Sequence, residues 1–256
     1  MPALDLPKLV RAAEAACDRA RAEILPRFRN VAVEIKADGS PVTEADRAAE
    51  QVLRAALHAA LPEAAILGEE FGAEGASGAS LQWVIDPIDG TIAFSRGIPL
   101  FGTLLALLED GEAVLGVIDC CAIGERTLGW KGGGCFRNGT PVRASTATQI
   151  GRALVSHGDL FCFDRAGQRA VFERMVREVP MLRGYTDAFG HAQTCAGAID
   201  AMVDLDLNPW DMAATRILVK EAGGRCVVTP PQPNGKAGIV FGAPALVETL
   251  AGWLGL

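Results

Sequence analysis

Trp83-Val84-Ile85-Asp86-Pro87-Ile88-Asp89-Gly90-Thr91 joins an apolar run to two carboxylates that lie three residues apart. The apolar residues from Leu81 to Ile85 are typical of a short buried strand. Pro87 cannot donate a ladder hydrogen bond, so strand pairing is expected to stop at about that residue. Asp86 and Asp89 would then lie together at the end of the strand, where they can face a ligand.

Two residues that follow the carboxylates extend this pattern. Gly90 permits a tight backbone turn and Thr91 is a good helix N-cap, so the NH groups that follow can bind an anion. The segment therefore predicts a site for metal and phosphate. A plain turn, in which Asp86 and Asp89 cap local NH groups, explains the same residues and is the alternative.

The composition sets the broad class of the protein. Half of the 256 residues are hydrophobic, which is enough for one large domain or two modest lobes. The formal net charge is -7 and the basic residues are scattered, so we expect no nucleic-acid partner. No apolar run reaches membrane-spanning length and the N-terminal pattern is an amphipathic helix, so we expect a cytoplasmic protein without membrane association. The seven cysteines lack zinc-site spacing and are expected to be reduced and mostly buried.

The first lobe is predicted to span residues 1–145 and to carry most of the metal and phosphate ligands. Hydrophobic residues at helical spacing predict a helix over residues 6–25, and a second helix is expected from about residue 43 to 61. A turn is predicted at residues 38–41 and a flexible surface loop at residues 72–80.

Two turn signals predict an antiparallel sheet in this lobe. Asp110-Gly111 and Asn138-Gly139 each separate strand-like runs and favour hairpins. Over residues 146–256 strands and helices alternate, which predicts an α/β lobe. This second lobe would carry Asp187, Asp204 and Asp211. The sequence thus indicates an α+β fold made of two lobes.

Four carboxylates lie at or near the ends of predicted elements and could share one cleft: Glu69, Asp86, Asp89 and Asp211. Without a cation such acids would repel one another strongly, and one of them would take up a proton. Oxygen ligands without imidazole or thiolate suit a hard ion such as Mg2+ or Mn2+. Two such ions could clamp the attacking and leaving oxygens of a phosphoryl transfer. Taken singly, Asp211 also fits an acid that complements the dipole of its helix.

Three motifs give the chain a resemblance to a known family. Gly68-Glu69-Glu70, Asp86-Pro87-Ile88-Asp89-Gly90-Thr91, and Trp210-Asp211 followed by Glu221-Ala222-Gly223-Gly224 are similar, in order and spacing, to the signatures of the inositol monophosphatase superfamily. The resemblance extends over nearly the whole chain. It implies the layered α/β/α/β/α sandwich of inositol monophosphatase and fructose bisphosphatase-like proteins, an Mg2+-dependent phosphomonoester hydrolase activity and a homodimer.

Carried over residue by residue, the resemblance implies a set of site residues. Two or three Mg2+ ions, or Mn2+ in their place, would be bound by Glu69, Asp86, the carbonyl of Ile88, Asp89 and Asp211. The NH groups of Gly90 and Thr91 would hold phosphate, and Glu70 would hold a water on the metal. Thr91 with Asp46 would orient and deprotonate the attacking water, whereas Thr43 and Asp46 taken alone fit a helix capping box.

Residues 96–104 and 207–211 resemble the histidinol-phosphate phosphatase branch of the superfamily more than the inositol branch. Asp187 and Asp204 occupy positions where inositol phosphatases differ, and they could complement the ammonium and imidazole groups of L-histidinol phosphate. Alternatively, Asp187 caps a helix and Asp204 is a surface strand residue. His191 is expected to be a helix-surface or core histidine and not a catalyst.

The function that the sequence favours is the hydrolysis of a small cationic phosphate ester, L-histidinol phosphate. The near alternative is the same chemistry on inositol phosphate, fructose bisphosphate or adenosine bisphosphate. A non-catalytic, metal-binding regulatory protein is an alternative from another class, but it would not need a water-activating pair. Ser156-His157 lacks the Gly-x-Ser-x-Gly pattern of a serine hydrolase. The role of Lys36 stays open.

Overall fold

The computed structural model describes residues 4–37 and 39–256. Asp38, which the sequence predicts to lie in a turn, is outside these residues. The helices are α1 (Leu6–Arg27), α2 (Glu44–Ala60), α3 (Thr91–Ser95), α4 (Leu160–Arg165), α5 (Arg169–Glu178), α6 (Asp187–Cys195), α7 (Pro209–Glu221) and α8 (Pro244–Trp253). The strands are β1 (Val33–Ile35), β2 (Pro41–Thr43), β3 (Ala65–Gly68), β4 (Gly72–Glu74), β5 (Leu81–Asp89), β6 (Gly102–Glu109), β7 (Glu112–Cys120), β8 (Glu125–Trp130), β9 (Gly134–Arg137), β10 (Thr140–Pro141), β11 (Leu154–His157), β12 (Met181–Arg183), β13 (Ala201–Leu207), β14 (Arg225–Val228) and β15 (Ala237–Gly242).

The largest sheet among the described residues has eight strands, in the order β10, β9, β8, β7, β6, β5, β3, β4. The predicted hairpin at Asp110-Gly111 is confirmed, since it joins β6 to β7 with φ angles of +50° and +81° that suit Asp and Gly. Asn138-Gly139 also forms a hairpin turn, between β9 and β10, with φ angles of +47° and +77°. The pairs of neighbouring strands in this sheet run antiparallel, as predicted, except that β3 and β5 run parallel.

Strand β5 continues through Pro87, further than the sequence predicts. The pairing of β5 with β6 shifts register between Asp86 and Asp89, and it resumes with Asp89 opposite Gly102. Pro87 therefore lies in an irregular stretch, where its missing NH group interrupts no ladder hydrogen bond. The Pro87 carbonyl accepts a hydrogen bond from Thr103 Oγ1 at 2.8 Å. The two aspartates thus belong to the distorted end of the strand.

A second sheet has the order β12, β11, β13, β15, β14 and is mixed, with β11 parallel to both β12 and β13. Strands β1 and β2 pair with each other as a separate antiparallel hairpin. The chain passes from the large sheet to the second sheet between Pro141 and Leu154. The division into lobes of residues 1–145 and 146–256 stays a prediction, since α7 of the second part packs against β7 of the first.

Three buried cores define the layers of the molecule. Helices α1 and α2 pack on one face of the large sheet, where Leu53 and Trp83 are buried together. Helices α6 and α7 lie between the two sheets, in a core that includes Ile217 and Phe241. Helices α4, α5 and α8 cover the other face of the second sheet, around Val203. This order of helix, sheet, helix, sheet and helix confirms the predicted α+β class and its five layers.

Short elements depart most from the sequence expectation. Strand β4 occupies part of the predicted loop at residues 72–80, because it pairs with β3 at the edge of the large sheet. Helix α4 and strand β12 are too short to give a repeated pattern. By contrast, α1 and α2 lie where the hydrophobic spacing places them, since a long amphipathic helix repeats its signal over several turns. No helix of the described residues is long and apolar enough to cross a membrane.

Candidate active site

A cavity of about 260 Å3 opens where the ends of β3, β5 and β13 meet the first turns of α3, α6 and α7. Most of the predicted site residues line it: Glu69, Asp86, Ile88, Asp89, Gly90, Thr91, Asp187, Asp204 and Asp211. The structure therefore brings together residues from distant parts of the chain. Asp46 and Glu70 do not line the cavity. Asp46 contacts Thr91 of the cavity wall, and Glu70 contacts Lys36, which also binds Glu69 of the wall.

The parallel pairing of β3 with β5 places two of these carboxylates side by side. Gly68 pairs with Ile85, and the Glu69 NH donates to the Ile85 carbonyl at 3.2 Å. Because both strands end at the same edge of the sheet, Glu69 and Asp86 reach the cavity together. Asp86 Oδ1 also accepts the NH of Ile88 at 3.0 Å, which orients that carboxylate at the bulge.

Asp211 enters the cavity from the first turn of α7. Its Oδ2 accepts the backbone NH of Asn208 at 2.7 Å, which completes a capping box. Burial raises the pKa of Asp211 to about 7, against the effect of this NH group, and the Glu69 charge adds to the increase. Asp211 lies in the first turn of α7, where the sequence predicts an acid that complements the helix dipole, and the same residue also lines the cavity.

The carboxylates of the cavity destabilise one another's charged forms. Burial raises the pKa of Asp86 well above its ordinary value, and Glu69 and Asp89 raise it further. Burial also raises the pKa of Asp89, together with Asp187 and Asp211. Within the described residues, no hydrogen-bond donor or cation contacts the Asp89 carboxylate. Such a group in a partly dry site is a candidate ligand for a cation.

Lys36 supplies positive charge to the edge of this acidic cluster. Its Nζ lies 2.8 Å from Glu69 Oε1 and 2.6 Å from Glu70 Oε1. Burial lowers the pKa of Lys36, but the hydrogen bonds to both glutamates outweigh it and leave the pKa above its ordinary value. Burial raises the pKa of Glu70 to about 7, although the Lys36 hydrogen bond opposes this. The lysine therefore links Glu70 to the wall of the cavity through Glu69.

Thr91 contacts two acceptors at the start of α3. Its Oγ1 lies 3.0 Å from the Ile88 carbonyl and 3.3 Å from Asp46 Oδ1. The prediction that Thr91 is the helix N-cap is wrong, because Gly90 is the N-cap and Thr91 is the first helical residue. Gly90 has a φ of +90°, and a Cβ there would lie 3.1 Å from the Leu100 carbonyl. Glycine is therefore required to turn β5 into α3.

Asp204 is buried, which contradicts the alternative of a surface strand residue. Its Oδ2 lies 3.1 Å from Nε2 of His191, and Nδ1 of the same ring lies 2.7 Å from Thr215 Oγ1. His191 is itself buried, as expected for a core histidine, and it lines the cavity. A Cβ at Gly158 would lie 1.9 Å from Asp204 Oδ1, so a glycine makes room for this carboxylate. The ring and the glycine together fix Asp204 at the cavity.

Asp187 occupies the first position of α6, whereas Thr186 is the N-cap. The alternative that Asp187 is the cap is therefore wrong, and its carboxylate accepts a hydrogen bond from Thr186 Oγ1 at 2.7 Å. Asp187 has a φ of +57°, which is uncommon for a residue with a side chain. Burial raises its pKa, with Asp204 adding to the increase.

Sequence reasoning missed four charged residues of the cavity wall: Asp159, Arg165, Asp206 and Lys236. Asp206 is buried and lies 2.6 Å from Arg165 Nε and 3.8 Å from Lys236 Nζ. Its φ of +59° falls where β13 shifts register against β15. A polar residue at the end of a predicted strand was the available signal, but the two cations have no local motif.

The serine-hydrolase alternative finds no support in the geometry. Ser156 Oγ lies 3.1 Å from the Arg183 carbonyl and 2.9 Å from the Tyr185 carbonyl, and it accepts the Tyr185 NH at 2.9 Å. His157 Nδ1 contacts the carbonyl of Gly158 instead of the serine. Ser156 therefore stabilises backbone and has no imidazole base.

The donor set of the cavity fits a hard divalent cation by its chemistry, since the carboxylates offer oxygen ligands and repel one another. Within residues 4–37 and 39–256, however, no three Asp, Glu, His or Cys side chains are arranged to hold one ion as they stand. The carboxylates therefore have to approach one another to share a cation.

The sequence of this chain is similar to those of known proteins. The sequence pattern that defines the Inositol monophosphatase family matches residues 5–250. The chain is 38% identical over 199 residues to a histidinol-phosphatase of Chlorobaculum parvum, covering 77% of this chain and 76% of that protein. It is 34% identical over 240 residues to a histidinol-phosphatase of Streptomyces coelicolor, covering 90% of each chain.

Solved structures show a similar fold over almost the whole chain. An inositol monophosphatase from Zymomonas mobilis superimposes with a TM-score of 0.86 and 32% sequence identity. The match covers 99% of this chain and 100% of that one. The five-layer architecture therefore belongs to a fold that the two chains share along their full length.

Proposed function

The chain belongs to the inositol monophosphatase family, and on this premise we propose that it hydrolyses L-histidinol phosphate to L-histidinol and phosphate with bound Mg2+. The coarser activity, that of a phosphoric monoester hydrolase, follows from its histidinol-phosphatase relatives. The observation that carries the proposal is the acidic cavity, in which Asp86, Asp89 and Asp211 lie together and burial and the neighbouring acids raise the pKa of Asp89.

Mg2+ would be held by Glu69, Asp86, Asp89 and Asp211 together with the carbonyl of Ile88. When bound, Mg2+ polarises the phosphate and lowers the pKa of water, and Mn2+ can supply the same chemistry. Two or three ions are proposed, as the resemblance of the motifs to the superfamily implies. Glu70, held by Lys36, would orient a water at the metal-binding edge.

The water-activating groups of the proposal are Thr91 and Asp46. Asp46 Oδ1 accepts a hydrogen bond from Thr91 Oγ1, so a lone pair of that hydroxyl is available to accept a proton from water. Burial raises the pKa of Asp46, which makes this carboxylate a better proton acceptor than an exposed one. The proton would pass from water to Thr91 Oγ1 while the Thr91 proton passes to Asp46 Oδ1. The NH groups of Gly90 and Thr91 would hold the phosphate.

The leaving-group side of the cavity is rich in acid. Asp187 and Asp204 line it, and the buried Asp206 already holds the two nearby cations, Arg165 and Lys236. The ammonium and imidazole groups of L-histidinol phosphate would complement the remaining carboxylates. A neutral polyol would bring no positive charge to these carboxylates. This charge balance supports a cationic ester as substrate.

Inositol monophosphate is the second candidate, because the chain superimposes over 99% of its length on an inositol monophosphatase. Phosphate release from L-histidinol phosphate, inositol 1-phosphate and fructose 1,6-bisphosphate, each with and without Mg2+, separates the candidates. We expect the highest kcat/KM for L-histidinol phosphate. Release from none of these esters would contradict the proposed substrate and the second candidate alike.

A homodimer, a cytoplasmic location and a place in histidine biosynthesis complete the proposal. The homodimer rests on the resemblance of the motifs to the superfamily, and the biosynthetic role rests on the proposed substrate. Sedimentation equilibrium of the purified chain distinguishes a dimer of about twice 26.8 kDa from a monomer.

A further inference from the structure

Helix α2 carries a second buried carboxylate one turn beyond Asp46. Glu50 is fully buried and pairs with Arg54, whose Nε donates to Glu50 Oε1 at 2.8 Å. Buried carboxylates are rare unless they are paired and hydrogen-bonded. Arg54 satisfies only one side of the Glu50 carboxylate, which leaves its other lone pairs for a different segment of the chain.

That segment is the stretch that follows β3 and includes the Glu69-Glu70 pair. Glu50 Oε2 accepts the NH of Glu70 at 2.7 Å, and Oε1 accepts the NH of Phe71 at 3.2 Å. Arg54 Nη2 donates to the Gly72 carbonyl at 2.5 Å. The ion pair of α2 therefore fixes three consecutive residues of backbone directly after Glu69.

The space around Glu50 is kept open by a missing side chain. A Cβ at Gly68 would lie 2.0 Å from Glu50 Oε1 and 2.8 Å from Arg54 Nη2. Gly68 has no positive φ, so its backbone conformation does not require glycine. The close approach of Glu50 and Arg54 is what excludes a side chain at this position.

Asp46 and Glu50 lie four residues apart and therefore share one face of α2. Asp46 contacts Thr91, and Glu50 contacts the backbone of Glu70 and Phe71. We propose that Glu50 is a positioning residue that sets the Glu69-Glu70 segment for cation binding, so that one rigid helix aligns this segment with the water-activating pair. This inference rests on the proposed function, because it assigns Glu69 to the metal.

The test compares Glu50→Gln with wild type in the binding of Mn2+ to the metal-stripped protein, measured by isothermal titration calorimetry. Glutamine keeps the volume, but its amide NH2 group accepts no hydrogen bond, so one of the acceptor oxygens for the Glu70 and Phe71 NH groups is lost. Changing a residue that supports a metal ligand typically costs about 10–100-fold in metal affinity, and we expect a loss of that size. The rate of p-nitrophenyl phosphate hydrolysis should recover at high Mn2+, which a general loss of structure would not allow.

Glu74→Gln is the matched control. Glu74 also pairs with Arg54, at 3.0 Å, but its side chain is largely exposed and it does not contact the NH groups of Glu70 or Phe71. We expect wild-type Mn2+ affinity in this variant. Equal losses in the two variants would show that only the charge around Arg54 matters, which overturns the assignment.

Hydrogen exchange separates a local effect from a loss of fold. In Glu50→Gln, exchange should accelerate over residues 69–72, while the core around Leu53 keeps wild-type protection. If this variant does not fold, Gly68→Ala carries the test, since its Cβ displaces Glu50 and should lower Mn2+ affinity in the same way. Wild-type Mn2+ affinity in the folded variant overturns the proposal for Glu50. A wild-type chain that binds no Mn2+ overturns the proposed function instead.

Discussion

Thr91 Oγ1 lies 3.3 Å from one oxygen of Asp46, while the other oxygen of that carboxylate accepts hydrogen bonds from the NH and the hydroxyl of Thr43 at 2.8 and 2.5 Å. The two roles that the sequence offers for Asp46, helix cap and partner of Thr91, thus coexist in one side chain. The hydrogen bonds of the cap hold the Asp46 carboxylate in place, and its other oxygen faces Thr91.

If Thr91 and Asp46 act as one unit, the losses of kcat caused by changing each residue should not multiply in the double variant. Thr91→Val and Asp46→Asn should each lower kcat by about 100-fold or more, and the double variant should be little worse than the weaker single variant. Steady-state kinetics with saturating Mg2+ measures this. Ser95→Ala is the control, because it removes a hydroxyl that donates to the Ile92 carbonyl on the same short helix. Multiplying losses would mean independent roles and would leave Asp46 as a cap alone.

Asp89→Asn removes a charge at nearly constant volume. We expect kcat/KM to fall by about 100-fold or more, because the charge stabilisation that a bound metal provides is worth several kcal/mol. The metal-free variant should be at least as stable as the wild type, since burial and the repulsion from Asp187 already oppose the Asp89 charge. Thermal unfolding in EDTA checks this. Asp110→Asn, in an exposed turn, should change neither quantity, and a near-normal rate in Asp89→Asn would remove Asp89 from the site.

Because several thiols are buried, we expect the free energy of unfolding to fall at alkaline pH. Burial raises the pKa of Cys121 and of Cys135 from 9.0 to about 12. The unfolded chain releases these protons near pH 9 whereas the folded chain retains them, so their stabilising effect is complete below pH 9 and is lost as the pH rises toward 12. The free energy of unfolding should fall by about 1.4 kcal/mol per pH unit for each such thiol.

Urea denaturation at pH 8 and pH 10 measures this loss, and Cys135→Ala should show a smaller dependence on pH than wild type. An identical dependence in the two proteins would contradict the raised pKa of Cys135. The expectation of mostly buried cysteines is confirmed, since six of the seven are buried and Cys226 is partly exposed.

Asp204→Asn should separate substrate recognition from chemistry. Truncating one partner of a desolvated charge pair typically costs about 2–5 kcal/mol, so kcat/KM for L-histidinol phosphate should fall strongly. Hydrolysis of p-nitrophenyl phosphate, which has no cationic leaving group, should change much less. Asp187→Asn should behave similarly, and Asp164→Asn, outside the cavity, is the control. Equal losses on both esters would assign these acids to the fold or to the metal.

Local signals carried much of the prediction. Asp110-Gly111 marks a hairpin because those two residues favour positive φ, and this preference needs no tertiary context. The family resemblance that rests on the motifs around Glu69, Asp86 and Asp211 is confirmed by the match over residues 5–250. The cavity places these three carboxylates together, although their roles stay proposals.

Other features depend on contacts that no local pattern encodes. Strand β5 passes Pro87 because β6 accommodates an irregular register, which is a property of the pair. Arg165 and Lys236 reach the cavity through the buried Asp206, from segments without a motif. Glu50 and Arg54 did leave a signal, since two charges at i and i+4 stand on the apolar face of α2 beside Leu53. A pair of opposite charges on the buried face of a helix therefore predicts a contact with another segment of the chain.

The most direct measurement is the rate of phosphate release from L-histidinol phosphate and from inositol 1-phosphate by the metal-stripped protein, before and after addition of Mg2+. We expect negligible release without Mg2+, restoration of activity by the ion, and a higher kcat/KM for L-histidinol phosphate. Full turnover of the metal-stripped protein would contradict the role of the carboxylates, and a preference for inositol 1-phosphate would contradict the role of Asp187 and Asp204.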